Sequence, residues 1–388
     1  MKTIALAIEN FSRYAGGAEA YAVSLAQKLA TEGWEIHLFG KTWDGEPAQA
    51  YFHRILIPDW LPAWIQILWF AFQHRRMIRL RHFDIILGFG NTIRMNVYQS
   101  HGGVHPLSTA RKAFSEPNRL LRGLKRLLIR FSPKQWARHW IESAPFRQVP
   151  KPVLVAISEM IRTDIRSFYN INDPISVVYN GVDTARFNPE SCRQLRGKLR
   201  QSLGLEPEEA VFLFPSLDLR KKGILPLVEA LAILKGRTPQ KFRLLVAGGR
   251  PGHFLRARIQ TLGLERFVLF LGPVRNVEEC YADAQALVLP TYYDACSLVV
   301  IEAMACGLPA VTTQFNGAAG IIENGKSGFV IAHPPDAEEI ADCMEQLLVP
   351  ERLEAMGRAA ALAGSRFSTE KNHRQMVDIF EAVISDVH

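Results

Sequence analysis

Residues 290–309 read PTYYDACSLVVIEAMACGLP. Just before them, AQALVLP (284–290) is a short aliphatic run of the kind that fills a strand covered on both faces. After Pro290 the apolar segment from Ser297 to Cys306 contains no Gly or Pro, so a helix is expected there, stopped by Gly307 and Pro309. PAVTT (309–313) then reads as the next strand, which makes the whole stretch a strand–loop–helix–strand unit of a parallel sheet. Two acids punctuate it. Two helical turns are about seven residues, so Glu302 falls in the helix body while Asp294 stands beyond its N-terminus. Between them the amides of Ala295, Cys296, Ser297 and Leu298 are expected to face outward at a helix start, where phosphate oxygens bind well. Glu302 lies in a segment apolar almost all round, and a carboxylate buried there needs a hydrogen-bonding partner, for which a ligand hydroxyl is a candidate.

The same alternation extends in both directions. AVFLFPSL, FRLLVAGG and RFVLFLG precede the unit, and TIALAI, EIHLFG, FDIILGF, PVLVAIS and ISVVYNGVD recur in the first half of the chain. A helix is expected over 18–32. At 388 residues, two α/β domains are the natural division, with the crossover near 160–185. Paired open sheets bind ligands outside the carboxyl ends of their strands.

Composition narrows the class. The chain is 48% hydrophobic and 22% charged, as in soluble globular proteins. No run of about 18 apolar residues occurs, so a membrane-spanning helix is not expected. MKTIALAIENF reads as a first strand rather than a signal peptide. Five scattered cysteines with no C-x-x-C pair suggest a reducing, cytoplasmic setting. The net charge of +8 is uneven: residues 1–150 hold 20 Lys/Arg against 10 Asp/Glu, and 151–388 hold 26 against 28. The positive excess thus belongs to the N-terminal part, which is built to face something anionic.

Four further stretches carry chemistry. In RYAGGAEAY (13–21), Gly16 and Gly17 follow the first strand and open a helix, a place where backbone can approach an anion closely. The motif is not G-x-G-x-x-G. In LDLRKKGI (217–224), Arg220, Lys221 and Lys222 sit between a strand and a helix start, well placed for a pyrophosphate. In YQSHGGVHPL (98–107), His101 or His105 could meet a ligand, and the intervening glycines disfavour a helical metal pair. In NRLLRGLKRLLIRF (118–131), Arg119, Arg122, Lys125, Arg126 and Arg130 flank a leucine stripe, and WLPAWIQILWFAF (60–72) lies nearby in sequence; together they suggest a surface resting on an anionic membrane. No nucleic-acid module is apparent. With no D-x-D in the chain, no metal is expected at a diphosphate, and its charge falls to cations and helix dipoles.

AGGAEAY, VAISEMIRTDI, VVYNGVDTARFNP, RKKG, the 282–313 stretch and GKSGFVI, taken in order, resemble the retaining GT-B glycosyltransferases of family 4. YQSHGGVH and the overall layout look most like the lipopolysaccharide-core glucosyltransferases. The resemblance implies an acceptor-binding Rossmann-like domain (1–165), a nucleotide-sugar-binding one (166–370) and a C-terminal helix (371–388) crossing back to the first. It implies that Gly17 approaches the donor diphosphate, that Arg220 and Lys222 bind it, and that Glu302, second acid of an E-x7-E motif, holds the ribose. It further implies that backbone near Val274 reads the base and that His101 supports the transferred sugar. Two positions depart from the family: Asp294 replaces the first Glu, and Leu217 stands where Arg is usual, so that Arg220 or Lys221 must substitute. The expected activity is transfer of a hexose, foremost glucose from UDP-glucose, to a lipopolysaccharide-core or other lipid-linked acceptor at the inner face of the inner membrane. A transferase on a soluble acceptor, a nucleotide-sugar epimerase and a non-catalytic sensor are the alternatives.

Overall fold

The computed structural model describes residues 1–12, 17–44 and 50–386. The chain divides into two units, Met1–Asn180 with Glu370–His388, and Gly181–Thr369.

The first unit is built on a seven-stranded, wholly parallel sheet. Its strands are β1 (Thr3–Ala7), β3 (Glu35–Gly40), β5 (Ala50–Arg54), β6 (Ile85–Gly88), β7 (Val97–Ser100), β8 (Val153–Ala156) and β9 (Ile175–Val177). The short pair β2 (Asn10–Phe11) and β4 (Thr42–Trp43) stands apart from it. The order is β5-β3-β1-β6-β7-β8-β9, so the direction of winding reverses between β1 and β6. Its central strands are fully buried because helices cover both faces, which is why they read as continuous aliphatic runs. The helix Gly17–Thr31 covers one face with Ala22, Leu25 and Leu29, and the helix Thr369–Ser385 adds Met376, Phe380 and Val383 to the same core. On the opposite face, Phe70 and Ile78 of the helix Ala63–Ile78 pack with Phe39 and Phe83.

The second unit carries six parallel strands: β10 (Ala210–Ser216), β11 (Phe242–Gly248), β12 (Val268–Gly272), β13 (Ala286–Leu289), β14 (Ala310–Thr313) and β15 (Gly328–Ile331). Their order is β12-β11-β10-β13-β14-β15, which places the reversal between β10 and β13. This is the two-Rossmann architecture expected. The helix Glu159–Tyr169 lies in the first unit and β9 pairs with β8 in its sheet, so the chain passes to the second unit after Asn180, later than a boundary at 165 would have it.

One long helix in the first unit stands clear of the core. Asn118 caps Arg119–Arg130 by accepting from the amides of Leu120 and Leu121, yet none of the helix's residues is buried.

Candidate active site

In a doubly wound sheet, the strand reversal opens a crevice at the strands' carboxyl ends. In the second unit that point lies past Ser216 on β10 and Leu289 on β13, and the two loops there are stitched together. The carbonyl of Lys221 accepts the Tyr292 amide at 3.1 Å. Gly223 has φ 87° and caps the helix Ile224–Arg237; a Cβ on it would sit 2.0 Å from the Pro290 carbonyl oxygen. Only glycine permits both the left-handed backbone and that approach.

This seam brings Lys222 and Asp294 into an ion pair, the side chains remaining 26% and 19% exposed. Lys221 turns the other way and pairs with Asp218 at 2.5 Å. Burial alone would raise the Asp218 pKa, but that side-chain bond and the Lys221 amide hold it below the usual carboxylate range. Arg220 is exposed at the crest of the loop. Of the three consecutive cations, therefore, Lys222 meets Asp294 and Lys221 meets Asp218.

Asp294 is fixed through its backbone. Its amide donates to the Phe315 carbonyl at 2.9 Å, and its carbonyl accepts from Gly317 at 2.8 Å. Asn316, packed alongside, accepts the Ser297 amide at 3.2 Å through Oδ1. That bond removes Ser297 from the amides expected to face a phosphate. Ala295, Cys296 and Ser297 are buried, while Leu298, the first residue of the helix Leu298–Ala305, is half-buried.

Glu302 projects from the second turn of that helix. It keeps some exposed surface, but its carboxyl is desolvated and burial raises its pKa. Tyr281 donates its hydroxyl to Glu302 Oε2 at 2.7 Å, and Arg186 adds a favourable charge. Arg186 is itself ion-paired with Glu278. A protein hydroxyl thus satisfies one oxygen of the acid for which a ligand hydroxyl was sought. Val274, half-buried, lies in the loop between β12 and the helix Val277–Asp283.

In the first unit, Gly17 is the exposed first residue of its helix, and Gly16 lies outside the described residues. His101 follows β7, its ring centroid 4.6 Å from Tyr21 and 5.2 Å from Phe89. Burial lowers its pKa to about 3, so the imidazole is neutral, and its buried Nε2 has no hydrogen-bond partner among the described residues. His105 instead opens the helix His105–Lys112, where its amide donates to Glu142 at 2.8 Å and its ring bonds Gln135.

Two family models match consecutive parts of the chain: Glycosyltransferase Family 4 over residues 15–186 and Glycosyl transferases group 1 over residues 196–363. The chain belongs to the GT-B glycosyltransferases. A D-inositol 3-phosphate glycosyltransferase of Catenulispora acidiphila is 31% identical over 249 residues, covering 60% of this chain and 57% of its own length. The lipopolysaccharide glucosyltransferase WaaG of Escherichia coli K12 is 25% identical over 352 residues, 87% of each chain. A crystal structure of WaaG superposes with a TM-score of 0.80 at 20% identity, covering 97% of this chain and 99% of that one. Anabaena HepE in complex with UDP-glucose gives 0.70 at 19%, covering 98% and 100%. At such identities these structures speak to the fold.

Sequence reading of this glycosyltransferase found the acids and the cations but not Tyr281, Arg186, Glu278 or Asn316. Tyr281 sits in EECYAD with no spacing that marks it. Asn316 follows β14 in a loop whose pairing with Asp294 depends on strand order alone.

Proposed function

We propose that this glycosyltransferase moves a hexose, foremost glucose from UDP-glucose, with retention onto a lipopolysaccharide-core or other lipid-linked acceptor. The observation that carries this reading is the Lys222–Asp294 pair at the strand reversal of the second unit. A donor diphosphate at this crevice meets Lys222 and Arg220 and the start of the helix Leu298–Ala305. As the bond from the sugar's anomeric carbon to the diphosphate oxygen breaks, negative charge grows on the leaving phosphate, and cations fixed beforehand stabilise that charge more than the ground state. The acceptor oxygen bonds the same carbon from the same face, and its proton passes to the leaving phosphate oxygen. Asp294, oriented through its backbone, contacts sugar hydroxyls, and Glu302, held by Tyr281, takes the ribose. Gly17, Val274 and His101 complete the proposal on the diphosphate, base and sugar sides. No metal is required, because the cations supply the charge.

The acceptor side falls to the first unit, whose basic helix supports peripheral binding to the inner face of the inner membrane. Among the described residues, no helix is long and apolar enough to cross a membrane. Leu120, Leu124 and Leu128 are exposed on a helix that also carries Arg119, Arg122, Lys125, Arg126 and Arg130. Names of relatives such as the Catenulispora enzyme favour a second reading, a soluble anionic acceptor. Incubation with UDP-glucose and either truncated lipopolysaccharide or inositol phosphate decides between them. An α-linked glucosylated core, seen by NMR, is expected; a β-linkage would overturn retention, and turnover of UDP-glucose to an isomer without acceptor would overturn transfer.

A further inference from the structure

The helices His105–Lys112, Arg119–Arg130 and Pro133–Glu142 line an open pocket of about 560 Å³ in the first unit. That volume is ample for a ligand, and most of the surface it presents is carbon. Pro106, Ala110, Ile129 and Trp136 contribute apolar surface. Its histidines do not oppose an apolar guest: burial lowers the pKa of both His105 and His139, leaving the rings neutral. His105 bonds Gln135, and the Trp136 indole donates to the Arg130 carbonyl at 2.7 Å, so the three helices are tied around the space.

Two features decide what enters. Arg126 and Arg130 belong to the lining, and both are exposed at its edge, with Arg126 also stacked 4.6 Å from Phe114. The same helix carries Leu120, Leu124, Leu127 and Leu128 outward, each more than half exposed, beside Phe131 and Trp136. A carbon-lined pocket opening onto an exposed apolar face, with guanidinium groups at the edge, matches an amphiphile whose anionic head stays at the surface while its tail goes in. We infer that this pocket takes one acyl chain of an anionic membrane phospholipid, with Arg126 and Arg130 holding the headgroup phosphate. The inference rests on the membrane reading above and adds to it a discrete site: the enzyme would extract a lipid tail rather than only lie on the bilayer.

The test uses the full chain and phosphatidylcholine vesicles containing phosphatidylglycerol, part of it bearing a diazirine in the acyl chain. After irradiation, crosslinks are mapped by peptide mass spectrometry. Label on residues 105–112 and 129–139 is expected, reduced at least fivefold in Ala110→Trp, which fills the pocket. Label confined to Leu120–Leu128, or unchanged in Ala110→Trp, would overturn the pocket and leave membrane binding standing. Equal pocket labelling by a diazirine phosphatidylcholine would remove the role of the two arginines and overturn the anionic assignment. Labelling by a lipid-linked acceptor alone would reassign the site to substrate. No cosedimentation with vesicles at all would sink the membrane reading itself, and a dimer in sedimentation velocity would assign the face to a second copy. If Ala110→Trp fails to melt cooperatively, the wild-type label map decides by itself.

Discussion

The seam between the loops after β10 and β13 and the helix Arg119–Arg130 are both cationic, yet they are built on opposite terms. At the seam, Lys222 is reached by Asp294, Gly223 presses on Pro290, and backbone bonds link the two loops. On the helix no residue is buried, and its arginines reach over Phe114 or into solvent. A charge that must meet a transition state is held before the substrate arrives, because reorganisation during reaction would cost rate. A charge that must meet a variable, fluid surface needs no such fixing. Position in the fold, not charge, separates the two tasks proposed for them.

The comparison breaks most visibly at Lys222. Lys222→Met should lower kcat/KM for transfer by about 10²–10³-fold, the usual cost of one preorganised donor at a developing charge. A loss under threefold would mean that Arg220 or Lys221 carries the diphosphate. Gly223→Ala tests how rigid the seam is. A Cβ 2.0 Å from a carbonyl oxygen, at φ 87°, should cost about 3 kcal/mol in denaturant unfolding; under about 1 kcal/mol, the loops are not locked.

Glu142, inside the first unit, probes an interior charge on the unit that bears the adaptive helix. It accepts from Tyr169 at 2.7 Å and from the His105 amide, and burial raises its pKa from 4.5 to about 7. Below about 4.5 it is protonated folded or unfolded; between there and about 7 only the folded state holds the proton. Stability relative to Glu142→Gln should therefore fall as pH rises through this window, by at most about 3 kcal/mol, then level off. A flat difference from pH 4 to 8 would show the carboxyl ionising normally. At the other extreme, Leu124→Glu should change unfolding free energy by no more than about 0.5 kcal/mol, since the side chain is exposed, while weakening vesicle binding severalfold. A destabilisation above 1 kcal/mol would mean that the helix is packed after all.

Strand content and the two-unit plan were legible in sequence because parallel strands buried on both faces leave long aliphatic runs, as in AVFLFPSL. Asp294 and Glu302 were legible because helix geometry converts spacing into position. The Lys222–Asp294 pairing was not, for the two residues lie 72 apart and meet only because β13 neighbours β10. Nor was the loss of the Ser297 amide, which depends on Asn316 arriving from beyond β14. The limit of the first sheet was also hidden: ISVVYNGVD reads as one run, but its pairing with β8 ends at the Val178 amide, which donates to Ala156.

The chain leaves the first unit at Asn180 and re-enters it at Glu370. The second unit is therefore an insertion, and its two ends meet: Val182 bridges Ser368, and a Cβ on Gly181 would lie 2.4 Å from the Ser368 carbonyl oxygen. During synthesis the inserted unit is finished before its host. Met376 and Phe380, which complete the host's core beside Leu29 and Trp34, emerge from the ribosome only after the whole of the inserted unit. The first unit must wait, partly open, for the helix Thr369–Ser385 to be translated, and only then is the apolar surface it exposes in the meantime covered.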